Sequence, residues 1–187
     1  MRLLLQVVVI LLLPAAAYAD LTFEQLQNIS ATPESLDGHF TQEKYLSALD
    51  TVLLSSGVFN YQRDVSIRWQ TLKPIQNELL MTPTSISNKQ ADQELMRIEK
   101  ESNPVVALFN EIFFSVLTAQ WKKLSAHFML TGEIQDGHWH ASLVPVDKTV
   151  KQVVSRVELK GDVLVREIIL HESGGDRTTI HFENLKP

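Results

Sequence analysis

The sequence predicts a mainly β fold of the α+β class, a curved antiparallel sheet forming an unclosed half-barrel with a helical lid over an apolar cavity. Three observations predict it. Apolar and polar residues alternate in runs separated by regular turn signals, as strands with one wet and one dry face require. A helix-periodic stretch, Val105 to Leu117, is apolar at ten of its thirteen positions, leaving Asn110, Glu111 and Ser115 as the polar minority. A helix so apolar all round must be covered on most faces, either threaded through a core or laid across the concave side of a sheet. A sheet of about eleven strands drawn from this chain has too few residues to close twice, which favours the second arrangement.

The elements follow in order. Arg2, the apolar run Leu3 to Leu13 and Ala17-Tyr18-Ala19 read as a cleaved secretion signal over 1–19, with cleavage expected before Asp20. Removing it from the 187 residues leaves 168, enough for one domain with a substantial core (20–187), and takes the net charge from −5 to −6. Thr22 to Ile29, with Phe23, Leu26 and Ile29 in register and Thr22 as cap, predicts a short amphipathic helix. Strands are expected at Gly38 to Leu49, Val52 to Arg63, Val65 to Leu72 and Glu78 to Thr82, punctuated by Pro74 and Pro83. Asn103 caps and Pro104 starts the apolar helix, which runs toward Trp121. Later strands flank Asp136-Gly137, Gly161-Asp162 and Gly174-Gly175-Asp176, giving an antiparallel meander. In Val153 to Lys160, the residues Val153, Ser155, Val157 and Leu159 are expected on one face and Val154, Arg156, Glu158 and Lys160 on the other.

Composition narrows the function. Lys and Arg are spread thinly in an acidic chain, so nucleic acid is excluded as a partner. With no cysteine, the chain has neither disulfides nor a lipidation site. No G-x-S-x-G, P-loop or dinucleotide fingerprint occurs, and no nucleophile and base stand in partnership, so no enzyme and no cofactor are expected. His138 and His140 share a strand face, but a third ligand would have to come from His127, His171 or His181; a solvated face suits them better than a metal.

Alternation puts Phe59, Tyr61 and Arg63 on one strand face, so Arg63 either points inward, where it needs acceptors, or snorkels to water at the strand end. Phe40-Thr41-Gln42, Gly57, Phe59, Arg63, Trp69 and Pro74 together, in that order and spacing, resemble the LolA family of periplasmic lipoprotein carriers. The resemblance is close over residues 36 to 83. It departs at Asp64, where the family usually has proline, and at the C-terminus, where members continue beyond Lys186-Pro187.

The resemblance implies a monomeric carrier in the periplasm of a Gram-negative bacterium, shielding the acyl chains of lipoproteins on their way from inner to outer membrane. The implied donor is an inner-membrane ABC transporter of the LolCDE type and the implied acceptor is LolB-like. In that family the matching arginine hydrogen-bonds the lid of the empty carrier, which implies Arg63 as a lid latch. The acyl cavity is expected to be lined by Phe40, Phe59, Tyr61, Trp69 and Met81, and covered by Leu108, Phe109, Ile112, Phe113 and Val116. Two alternatives stay open. One is a paralogue carrying another lipid or lipid-linked product for a different exporter; the other is a periplasmic domain sensing lipid or peptide.

Overall fold

The computed structural model describes residues 20–90, 93–99 and 104–187, without the side chains of 104–107, 109 and 110. The expected leader over 1–19, the Asn103 cap and the side chain of Phe109 lie outside the described residues.

The chain runs α1 (Phe23–Ile29), β1 (Ser35–Leu46), β2 (Thr51–Gln62), β3 (Ser66–Lys73), β4 (Asn77–Met81), β5 (Ser85–Gln90), β6 (Gln93–Glu99), α2 (Pro104–Leu117), α3 (Trp121–Leu124), β7 (Phe128–Gln135), β8 (His138–Pro145), α4 (Lys148–Lys151), β9 (Val154–Gly161), β10 (Val165–Glu172) and β11 (Arg177–Lys186). All strands join one antiparallel sheet of order β6-β5-β4-β3-β2-β1-β11-β10-β9-β8-β7. The first and last strands pair at its centre, so two meanders are fused through β1 and β11. β6 and β7 are left as separate edges, and the sheet stays open. The segment containing α2 connects one edge to the other, which carries the apolar helix across the sheet.

Local chemistry explains the punctuation. Thr22 and Gln25 close a reciprocal capping box on α1, whose Leu26 is fully buried. Asp136 and Gly137 both take positive φ, the two-residue turn that suits the twist of a hairpin.

Four expectations are corrected. Residues 47 to 49 form a 3-10 turn instead of extending β1, because Asp50 reverses the chain in the left-handed region. The apolar helix stops at Leu117: Thr118 bonds back to Phe114, Ala119 takes positive φ, and α3 starts afresh at Trp121. β5 and β6 fall where no strand was expected. In β9, a register shift opposite His171 and Glu172 leaves both Ser155 and Arg156 exposed. Val154 is therefore buried and Val153 exposed, the reverse of strict alternation, because a bulge adds one residue and flips the faces before it.

Candidate functional site

The inner face is built from paired rows. Leu36, Tyr61, Ile67, Met81 and Ile86 stand opposite one another across five strands, as do Gly38, Phe59, Trp69 and Leu79. Phe40 lies directly across from Gly57, and its ring stacks on Trp69 with centroids 3.9 Å apart. A Cβ on Gly57 would run into the Gln70 carbonyl and come within 2.8 Å of the Phe40 ring, so only glycine lets Phe40 reach Trp69. Phe59 and Phe182 complete the cluster, each within 6.0 Å of Trp69 between centroids. Phe40, Phe59, Tyr61, Trp69 and Met81 are all buried and belong to one core cluster.

The open apolar space lies beside them, beneath the same helix. A cavity of about 310 Å³ is bounded by Ile112, Phe113 and Val116 of α2, by Phe128 and Val150, and by Val153, Val154, Val157, Ile168, Leu170, Glu172, Thr178 and Ile180 below β9, β10 and β11. None of the five residues expected to line an acyl cavity borders this space. Among the expected lid residues, Ile112, Phe113 and Val116 form its roof, and Leu108 packs on the core. Sequence reasoning missed the floor because Val157, Ile168 and Ile180 are ordinary aliphatic strand residues. The available signal was contrast: aromatics on β1 to β3 fill the space under an apolar helix, whereas aliphatics on β9 to β11 leave it open.

Charges sit at the margins. Lys44 Nζ lies 2.9 Å from Glu172 Oε1, and Glu172 is part of the cavity wall. Arg63, in the turn after β2, pairs through Nη1 with Glu34 Oε1 at 2.8 Å, and its N–H donates to the Glu34 carbonyl. Burial pushes the Tyr61 phenol up, with the Arg63 guanidinium bonded to its hydroxyl pulling the other way. Asp64, at positive φ, shares a polar hollow with Glu111, Ser115 and Gln120, so the Arg63 turn borders the lid while its ion pair goes to Glu34. His138 and His140 lie on the outer face with Glu133 and Lys160 nearby, and among the described residues no group of three or more His, Cys, Asp or Glu side chains is placed to hold a metal ion.

The family model described as outer membrane lipoprotein carrier protein LolA matches residues 31–187. Among solved structures, a LolA superfamily protein from Nitrosomonas europaea aligns at a TM-score of 0.49 and 12% identity, over 88% of this chain and 90% of that one. A DUF1329 family protein from Desulfovibrio piger aligns at 0.43 and 12% identity, over 88% of each chain. The MucA/MucB complex of Pseudomonas aeruginosa aligns at 0.40 and 16% identity, over 81% of this chain and 51% of that one. No curated protein matches the chain in sequence.

Proposed function

Since the chain belongs to the LolA family, we propose that it is a periplasmic carrier that shields acyl chains of lipoproteins in its apolar cavity and ferries them from the inner to the outer membrane. Residues 20–187 act as the carrier domain behind a removable leader, 1–19. The observation that carries this reading is the cavity of about 310 Å³ between α2 and the aliphatic floor of β9 to β11. An unfilled apolar space at a helix–sheet contact forfeits packing energy, so its presence beneath α2 calls for an occupant.

The physical problem sets the scale. Each methylene removed from water is worth about 0.8 kcal/mol, so one chain of roughly 16 carbons carries about 12 kcal/mol. Such a chain does not cross water unaided. The carrier must also release it, and a roof that gives up its own contacts on loading supplies the offset: net affinity is acyl burial less the contacts of α2 that are broken. Volumes near 300 Å³ lie at the lower end of ligand pockets, so the empty cavity admits one tail, and further tails require α2 to lift. The donor in this reading is an ABC transporter of the LolCDE type and the acceptor a LolB-like receptor.

A second reading, carriage of another lipid or lipid-linked product, is favoured by the Arg63–Glu34 pair, which gives the arginine an ion-pair partner in the segment before β1. Mass spectrometry of species copurifying from the periplasm separates the two. Diacyl or triacyl lipoprotein peptides as the bound species support the first reading; their absence beside another bound lipid overturns it in favour of the second.

A further inference from the structure

The wall of the apolar cavity contains two polar residues, Glu172 and Thr178, and both lie toward one end of it. Thr178 stands opposite Lys44 in the β1–β11 pairing, and Lys44 holds Glu172 at 2.9 Å. These side chains are 34% and 25% exposed. Beside them lie Leu53, opposite Lys44, and Val153 of the cavity wall, exposed to 53% and 44%. This end is therefore the mouth. Along β10 the cavity side runs Ile168, Leu170, Glu172, apolar inside and charged at the rim. The neighbouring Asp176 carboxylate is taken up by the Ser47 N–H and hydroxyl, which leaves Lys44 to Glu172.

A partly exposed ion pair adds little to stability, but at the lip of a greasy cavity it presents one cation and one anion to whatever caps the tail. We propose that Lys44 and Glu172 are the head-group site of this cavity, and that the cargo it takes is an acyl amphiphile with a zwitterionic head, anion on Lys44 and cation on Glu172. The inference rests on the carrier reading in its second form, carriage of another lipid, and names the class of that lipid. A zwitterion exchanges one pair for two. A purely anionic head strips Lys44 from Glu172 and leaves a carboxylate unpaired at an apolar wall, and an uncharged head leaves the pair closed.

Three probes with the same tail test this: palmitoyl lysophosphatidylethanolamine, palmitate and monopalmitin, titrated by calorimetry below their aggregation limits. The full chain is expected to bind the zwitterion about fivefold more tightly than palmitate. Lys44→Met with Glu172→Gln should abolish that difference between the zwitterion and palmitate, and the exchanged pair Lys44→Glu with Glu172→Lys should retain it. Equal binding of palmitate and the zwitterion by the natural protein, or a preference that survives Lys44→Met with Glu172→Gln, overturns the inference while leaving the carrier reading intact. If none of the three tails binds, the carrier reading itself falls, and this inference with it.

Discussion

Phe113 of α2 meets Trp69 of β3 edge to face, with ring centroids 6.1 Å apart and planes at 71°. Phe113 also belongs to the cavity roof, so one side chain joins the lid to the filled aromatic core and covers the open space next to it. Such a pair is worth about 0.5–1.5 kcal/mol beyond area burial. Phe113→Ala is therefore expected to speed uptake of a fluorescent acyl probe by about 2–10-fold in stopped flow. Unchanged uptake would detach this contact from gating.

Gly57 is the second sensitive point. A methyl group there meets the Gln70 carbonyl and the Phe40 ring at once, and the carbonyl belongs to the sheet backbone. Gly57→Ala should cost about 1–3 kcal/mol, read as a lower urea midpoint at unchanged slope. A variant as stable as the natural protein would contradict the packing of Phe40 across Gly57 onto Trp69.

Acid should weaken the fold through three carboxylates. The Val150 and Thr149 N–H groups hold Asp147 below its ordinary value, and the Ser47 N–H and hydroxyl do the same for Asp176. Burial pushes Asp162 up, but the Leu164 N–H and Arg166 outweigh it and the carboxyl is depressed. Groups depressed in the folded state contribute stability that is complete above the unfolded value, about 4, and is lost as pH falls through the folded values. Urea midpoints should hold between neutral and mildly acidic pH and fall below it, and Asp176→Asn should make that fall shallower. An equal fall in the variant would remove Asp176 from the account.

Arg63→Leu tests the latch. If exchange of Arg63 between Glu34 and the bordering lid helps to expel cargo, the variant retains an acyl probe more tightly and passes less of it to acceptor vesicles. Transfer at the natural rate would reduce Arg63 to an anchor for the Glu34 segment.

The sequence made the later meander, the strands β1 to β4, the apolar helix and the inward placement of Phe59 and Tyr61 legible because each rests on local signals: alternation, turn glycines and helical spacing. β5, Ser-Ile-Ser-Asn-Lys-Gln, carries little strand preference of its own and is extended by pairing with β4, a non-local cause. The β9 bulge likewise depends on β10 opposite, so Val153 and Val154 could not be assigned to faces from their own order. The cavity was hardest to see, since a void is defined by what neighbouring chains fail to fill. The Lys44–Glu172 pair joins residues far apart in the chain through β11 between them, and no spacing announces it.

The central claim is that the space under α2 hosts an acyl tail. Native mass spectrometry of the protein taken from periplasm without detergent tests it, compared with Ile168→Trp, which fills the floor. The account predicts an adduct of acyl-lipid mass on the natural protein that the folded Ile168→Trp variant loses. A natural protein free of any adduct, or an adduct that persists with the cavity filled, would contradict it.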